Sequence, residues 1–537
     1  MKVHAFLFAV ALLAGTLLFM HRLETGGDNL DFMLQARSAQ QGEWRDVFSW
    51  YRPAGYALSV AATLALCGIR LAPGPLTVAG PTFHLVQAVG VVQFALAAVA
   101  VYVWARRVTR ERFVAIGVAL LFALNQMLVA WSSVIAAETL LVLLVFAALA
   151  VWEGTDHMAG GRWQRLALFA VLAGVALFVR TAAIALAGGF GLWIVVKRKW
   201  TGSYLLAACI TGFFVLLAAV QMALLSNFYF THVVAADPYG FGETVSWGER
   251  LHNAVITYTG GWPDLLFPKI VGCRGLFELT GLGPLAVPFT LAVFLLTLVG
   301  LARTLRRGLR LSHLFLLCYL VILLAWPDFL VRYMFPLAPV GLWLVLEGVA
   351  WLAERVSRGS ATAAVVSRRA TVSFVAVAAA WSLATNVFAG VKNWDHILEL
   401  REKPPWDPAR YAITGEDDFG DYITAGLWIK DHAPGDAVVF CRKALFIELV
   451  SGRFCRYYTG HADAEALWAA MTHAAAAAPC YILKDAFSTD STYGRVRKLQ
   501  LEPLLERQAG SLDEVHRTDY GSVIYRVADD PGGRCDP

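Results

Sequence analysis

Apolar residues occur along the first part of the chain in blocks of about 20, the length at which an α-helix spans the hydrocarbon core of a bilayer. From Lys392 onward, apolar and polar residues alternate in short runs, as they do in a water-soluble domain. The pattern predicts a polytopic α-helical membrane part at residues 1–390 and a soluble domain, here called the tail, at residues 391–537. The apolar blocks lie at 3–20, 54–71, 82–105, 113–131, 134–152, 166–180, 181–196, 203–225, 284–302, 311–326, 333–352 and 370–390.

Lysine and arginine cluster between the blocks, and such clusters mark loops on the cytoplasmic side. If block 54–71 does not cross the membrane, the segments between the blocks alternate between the two sides and all the basic clusters face the cytoplasm. This block is short and is bounded by Pro53 and by Pro73-Gly74-Pro75, so we interpret it as an interfacial helix of a first outer loop at 21–81; a crossing helix is the alternative. The pattern then predicts about 11 spans, an inner amino terminus, an outer loop at 226–283 and an extracytoplasmic tail. The basic clusters lie at 106–112, 162–165, 197–199, 303–310 and 355–369.

The tail alternates runs typical of helices with runs typical of strands, which predicts a small α/β domain. Two of its cysteines, Cys441 and Cys455, are predicted either to form a disulfide, if the tail is extracytoplasmic, or to stay as buried thiols. The predicted helices are Asp421–His432, which Pro434-Gly435 ends, and Ala462–His473, and the predicted strands are Ala437–Cys441, Cys480–Leu483 and Ser522–Val527.

Composition supports the membrane assignment: 58% of the 537 residues are hydrophobic, 16% are charged and the mean hydropathy is +0.57. A soluble domain has about 25% charged residues. The net charge of +5 does not indicate nucleic-acid binding, because the basic residues lie in short loop clusters.

A carboxylate follows the first block, in Gly26-Gly27-Asp28-Asn29-Leu30-Asp31-Phe32. Asp28 lies at the lip of the predicted bundle, where a carboxylate serves as a general base for a hydroxyl acceptor or holds a cation. The structural alternative is that Asp28 caps a helix beginning at Asn29.

Three further ionisable residues fall at outer ends of predicted spans: Glu138, Arg180 and Arg332. Arginine is a bidentate donor suited to phosphate or carboxylate. Each has a structural alternative: Glu138 only reaches the interface, Arg180 is an interfacial anchor, and Arg332 pairs with Asp328. Because the topology places all three residues on the same face as Asp28, they suit transfer chemistry on a phosphate-bearing substrate.

Several ordered motifs resemble the GT-C glycosyltransferases that use polyprenyl-phosphate-linked sugars, in particular relatives of the protein O-mannosyltransferases and of the lipid A aminoarabinose transferases. The similarity covers roughly residues 1–350. Two departures are Asn29, where the family has a second acidic residue, and Phe32, where it has tyrosine; the first puts a metal role in doubt. The motifs are the run beginning Asp28-Asn29, Tyr51-Arg52-Pro53-Ala54-Gly55-Tyr56, the acidic Glu138, Gly174-Val175-Ala176-Leu177-Phe178-Val179-Arg180, and Arg332-Tyr333 followed by Pro336 and Pro339.

The resemblance implies an inverting glycosyltransferase in a bacterial cytoplasmic membrane, with Asp28 as catalytic base and with Arg180 and Arg332 at the lipid phosphate. Its partners would be a polyprenyl-phosphate sugar donor, membrane lipid and an acceptor glycan, lipid or protein, with no nucleic acid. No metal ligand cluster and no certain cofactor is identified, although a divalent cation is compatible with the family. The alternatives are a transporter or flippase of lipid-linked saccharides, which would be expected to show repeats and midplane polar groups, and a sensor anchored by its spans. The remaining substrate-binding candidates are Asp31, Tyr51, His84, Glu138 and Tyr333.

Overall fold

The structure is a computed structural model. It describes residues 2–19, 28–49, 53–72, 80–109, 111–153, 162–199, 202–220, 246–267, 281–325, 331–357, 362–400, 407–408, 417–458, 461, 463–486 and 501–528. Within these ranges the side chains of residues 28–29, 49, 162, 392–400 and 417–418 are left out of the description.

Every predicted apolar block falls on a helix of a bundle formed by the first 400 residues. Burial of their apolar faces against one another forms a continuous hydrophobic core. The helices are α1 (Lys2–Leu17), α2 (Asp28–Gln41), α3 (Trp44–Ser49), α4 (Ala54–Leu66), α5 (Gly80–Val108), α6 (Arg112–Leu124), α7 (Gln126–Ser132), α8 (Glu138–Glu153), α9 (Arg162–Val179), α10 (Ile184–Lys197), α11 (Gly202–Val220), α12 (Trp247–Leu266), α13 (Ala286–Arg306), α14 (Leu311–Ala325), α15 (Ala338–Val356) and α16 (Ala363–Leu400).

The described helices are those of a multi-pass membrane protein, but they do not confirm a count of 11 spans. Five are long and apolar enough to cross a bilayer by length and composition, or six if a bent pair counts as one span. Other apolar helices have only 10–17 residues, including α1, α4 and α14.

The bent pair is formed by α6 and α7, which meet at 57° where the sequence pattern predicts one helix. Asn125 causes the break: its side-chain oxygen accepts a hydrogen bond from the Leu128 N–H at 3.1 Å and so caps α7, while its side-chain amide donates to the Leu265 carbonyl. The apolar pattern conceals this break because a single polar residue interrupts it.

The two ends of the bundle differ in charge. At one end, here called the basic end, Arg310 pairs with Glu153 at 3.1 Å and Arg307 pairs with Glu347 at 2.7 Å. These pairs fix the turn between α13 and α14 to the last turn of α8 and to α15. The close crossing of α13 and α15 requires glycine at position 300, because a Cβ there would collide with the Leu344 carbonyl.

At the opposite end, α16 continues to Leu400, ten residues beyond the predicted boundary at 390, and leads toward the tail. The predicted outer loop at 226–283 contains α12, a 20-residue helix that begins at a capping box formed by Ser246 and Glu249. The sequence pattern did not predict α12 as a span, because polar residues interrupt its apolar ones. The predicted linker Lys403-Pro404-Pro405-Trp406 lies outside the described residues.

The tail is an α/β domain, as predicted, built on a five-stranded sheet in the order β2-β1-β3-β5-β4. Strand β1 is parallel to β2 and β3, whereas β5 is antiparallel to β3 and β4. All the predicted strands and helices are present, with small shifts at their ends. The elements are α17 (Asp417–His432), β1 (Val438–Cys441), α18 (Ala444–Ser451), β2 (Phe454–Tyr457), α19 (Ala464–Ala475), β3 (Cys480–Lys484), α20 (Glu502–Arg507), β4 (Leu512–Arg517) and β5 (Val523–Val527).

Cys441 and Cys455 are free thiols in the structure, both buried, so the thiol alternative holds there. Burial raises the pKa of the Cys455 thiol well above its usual range, and the neighbouring Cys441 adds to this rise. Burial likewise raises the pKa of the Cys480 thiol to about 12. These groups therefore stay protonated and unreactive at neutral pH.

The tail packs on the bundle through α2. This helix is polar overall, yet Leu30, Phe32 and Met33 are buried. One side of α2 packs along α4, and another touches α18, where the charge of Glu448 acts on the Arg37 guanidinium. The helix that begins at Asp28 is thus enclosed between the bundle and the tail.

Candidate active site

Glu138 is the first residue of α8, at the end of the bundle opposite the basic end. A turn connects the end of α7 to the start of α8. The Glu138 carboxylate therefore lies at the amino terminus of α8, where backbone N–H groups favour negative charge. The residue is 3% exposed. Its Oε2 atom and the neighbouring Thr139 hydroxyl are buried without a hydrogen-bond partner in the part of the chain that the structure describes.

Arg180 occupies the break between α9 and α10. Its backbone is extended, with φ −158° and ψ 131°, and a short 3-10 turn (Thr181–Ala183) follows. The guanidinium forms an ion pair with Glu138 Oε1 and lies over the Tyr333 ring at 4.9 Å from the ring centre. The predicted tight turn is therefore present, and the side chain points into the bundle rather than serving as an anchor.

Arg332 lies on a 3-10 segment (Val331–Leu337) that leads into α15. Its Nε atom is 4.0 Å from Glu138 Oε1, and its guanidinium lies 5.1 Å from the centre of the Trp131 ring. The Tyr319 hydroxyl donates to the Tyr333 carbonyl at 2.9 Å, which fixes this segment to α14.

These contacts define what we call the arginine–carboxylate centre: Glu138, Arg180, Arg332, Tyr333 and Trp131. One carboxylate faces two guanidiniums, so the centre carries a net positive charge at neutral pH. Cation–π attraction to the Tyr333 and Trp131 rings helps to hold the two guanidiniums in place, and a guanidinium presents its N–H donors in one plane. Such an arrangement is suited to an anionic group, above all to a phosphate.

Four sequence-predicted residues thus come together from α8, the α9–α10 break and the 3-10 segment, namely Glu138, Arg180, Arg332 and Tyr333. The predicted pair between Arg332 and Asp328 involves a residue outside the described ranges.

The other predicted residues lie in the first outer loop or at the start of α5. Asp28 begins α2, but its side chain is not described, and Tyr51 lies outside the described residues. Asp31 is on α2 and is 5% exposed. His84 shares a hydrogen bond of 2.8 Å with Gln87, and its ring packs edge-on against Phe19.

Sequence reasoning missed Trp131 and Tyr319, which orient the arginines. Each lies inside an apolar run, where an aromatic side chain is most simply assigned to the core. The Trp-Ser-Ser sequence at 131–133, a polar interruption just before Glu138, is the one signal that points toward Trp131.

Among the described residues, no group of three or more His, Cys, Asp or Glu side chains is arranged to hold a metal ion. The centre itself contributes one carboxylate beside two cations, which is a donor set unsuited to a divalent cation.

No protein-family model matches the chain, and no curated protein sequence matches it.

Solved structures, by contrast, match nearly the whole chain. ArnT from Cupriavidus metallidurans in the apo state is 14% identical, has a TM-score of 0.54 and is matched over 98% of both chains. An oligosaccharyltransferase from Archaeoglobus fulgidus, tethered with an acceptor peptide, is 13% identical with a TM-score of 0.54, over 97% of this chain and 74% of its own. A complex of the oligosaccharyltransferase AglB from the same organism with an inhibitory peptide and a dolichol-phosphate is 12% identical with a TM-score of 0.53. All are GT-C proteins, and this chain has the GT-C fold.

Proposed function

We propose that this chain, with its GT-C fold, is a glycosyltransferase that moves a sugar from a polyprenyl phosphate to an acceptor on the outer face of a bacterial cytoplasmic membrane. The observation that carries the proposal is the convergence of Arg180 and Arg332 on the buried Glu138 at the end of the bundle on which α2 begins. A transporter would be expected to place such groups near the bilayer midplane, and the described residues offer no support for that alternative.

The structural neighbours support the same chemistry. AglB from A. fulgidus holds a dolichol-phosphate, and the related oligosaccharyltransferase structure carries an acceptor peptide. At identities of 12–13% this similarity extends only to the fold, so the donor and acceptor classes are part of our proposal for this chain.

In the proposed reaction an acceptor hydroxyl oxygen attacks the anomeric carbon of the donor sugar. The bond between that carbon and the phosphate oxygen breaks, and the electron pair stays on the polyprenyl phosphate. Asp28 takes the hydroxyl proton as general base, while Arg180 and Arg332 stabilise the charge that develops on the leaving phosphate. Attack from the face opposite the leaving group inverts the anomeric configuration. No metal ion is required for charge neutralisation, because the guanidiniums supply it.

Replacement of Asp28 by asparagine tests the assignment of the base. General-base catalysis contributes about 100- to 10,000-fold, so we expect Asp28→Asn to lower kcat within that range while donor KM changes little. The measurement is release of polyprenyl phosphate from radiolabelled donors by purified wild type and variant. Asp46→Asn, which changes an exposed carboxylate on the neighbouring helix α3, is the matched control. Full activity of Asp28→Asn beside an active wild type would exclude Asp28 as the base.

The charge pattern supports an outer location for the site. Residues from separate predicted cytoplasmic clusters meet at the basic end: Arg310 donates to the Arg107 carbonyl at 3.4 Å, and Arg368 lies over the Phe113 ring. The arginine–carboxylate centre and the tail lie at the other end. Helix α4 has 13 residues, about 20 Å of helix, which is less than the thickness of the hydrocarbon core and supports an interfacial position.

Cysteine labelling of intact cells tests this sidedness. In a background without native cysteines, Tyr520→Cys on the tail is expected to react with a membrane-impermeant maleimide, because this residue is 62% exposed. Arg306→Cys, exposed at the basic end, is expected to react only after the membrane is permeabilised. The reverse pattern would place the candidate site in the cytoplasm.

A further inference from the structure

The amino terminus of α4 lies beside three elements that carry residues of the candidate site. Its second and third residues, Gly55 and Tyr56, contact α2, the turn before α8 and the last turn of α9. We propose that Gly55 and Tyr56 are positioning residues that hold the helix carrying Asp28 at a fixed distance from Glu138 and Arg180. This inference rests on the proposed function.

Gly55 sets the distance between α4 and α9. A Cβ at this position would lie 2.6 Å from the carbonyl carbon and oxygen of Phe178 and 2.9 Å from the Val179 nitrogen. The α4 backbone therefore rests directly on the α9 backbone, two residues before Arg180. Backbone atoms move less easily than side chains, so only glycine permits this approach.

Tyr56 connects the other two parts. It is 2% exposed, and its ring packs edge-to-face on Phe32 of α2, with ring centres 4.7 Å apart and an interplanar angle of 72°. The Tyr56 hydroxyl faces the turn before α8, where the Ala136 backbone and the Glu138 carboxylate both act on it electrostatically. One side chain thus connects α2 with the turn that presents Glu138.

This arrangement matters because the proposed base and the proposed phosphate site come from different elements. Asp28 begins α2 one helical turn before Phe32, whereas Arg180 and Glu138 belong to α9 and α8. The acceptor oxygen must meet the sugar carbon within a few tenths of an ångström of the productive position, and a displacement of about 1 Å costs on the order of 100-fold in rate. A rigid contact between the two halves meets that requirement.

The test combines a distance with kinetics. Spin labels at Gln41→Cys on α2 and Val175→Cys on α9, both exposed, report the separation of the two helices by pulsed electron paramagnetic resonance. We expect a single narrow distance in the wild type and in Tyr56→Phe, which keeps the ring pair. Tyr56→Ala is expected to broaden the distribution and to lower kcat about 100-fold, with donor KM within about threefold of wild type.

Two further variants keep the test decisive. Gly55→Ala retains every other side chain and is expected to shift the same distance if Tyr56→Ala does not fold. Tyr102→Ala removes a tyrosine that is 6% exposed and packs on His4 at the basic end, and it is expected to leave the distance and the kcat-to-KM pattern unchanged. Unaltered distances in Tyr56→Ala and Gly55→Ala would overturn the positioning role. If the wild type shows no transfer but the variants broaden the distance distribution, the proposed function is refuted, whereas Gly55 and Tyr56 still fix the separation of α2 and α9.

Discussion

Glu138→Gln is expected to lower the free energy of unfolding by about 3–5 kcal/mol, because it removes the buried carboxylate that faces both guanidiniums. Glu138 is 3% exposed, and Arg332 is 9% exposed, so water screens the resulting repulsion poorly. The same change is expected to abolish donor turnover, since the two arginines no longer converge. Thermal unfolding in detergent gives the stability effect, and donor hydrolysis or transfer gives the activity.

Glu153→Gln is the matched control. Glu153 is also buried at the end of α8, 8% exposed, and pairs with Arg310 at the basic end. We expect a smaller loss of stability, because the Arg310 side chain is 35% exposed and water screens its charge, and near-normal turnover for the fraction that remains folded. If Glu138→Gln were as stable as wild type and bound donor normally, the carboxylate would not be what holds the arginines together.

The second large effect is expected for Arg180→Lys, with kcat/KM falling about 100- to 1000-fold, the cost of losing a preorganised donor to developing charge. Lysine keeps the charge and a contact with Glu138, but it lacks the planar donor pair and the stacking that Arg180 makes on Tyr333. Stability should change much less than in Glu138→Gln, because no buried charge loses its partner.

Arg307→Lys controls for the general effect of this substitution. Arg307 pairs with the buried Glu347 at 2.7 Å at the basic end, far from the arginine–carboxylate centre. We expect its kcat/KM to stay within about threefold of wild type, as for a change outside the site. Equal losses in both variants would mean that Arg180 has no direct role at the phosphate.

The sequence predicted the helices well because a bilayer imposes a strong length and composition rule on each span. It predicted that Glu138, Arg180 and Arg332 share one end of the bundle, because an ionisable residue at the end of an apolar block is conspicuous. Prediction failed where one polar residue decides the geometry, as at Asn125, and where a helix is amphipathic rather than apolar, as in α12.

The contacts inside the site were beyond the sequence for a different reason. That Arg180 and Arg332 meet the same carboxylate depends on the packing of α8, α9 and the 3-10 segment, which are distant in sequence. In the tail, β2 and β4 went unrecognised because both are mostly exposed, with little apolar alternation. The position of Gly55 against Phe178 likewise depends on a backbone contact that no motif encodes.

The central claim is that Arg180 and Arg332 together bind the donor's phosphate, and an electron cryomicroscopy structure with bound polyprenyl phosphate tests it most directly. We predict phosphate density with oxygens about 3 Å from guanidinium nitrogens of both arginines, and with the lipid chain leaving toward the bilayer. Phosphate density at the basic end, or at a position that reaches neither arginine, would contradict the account.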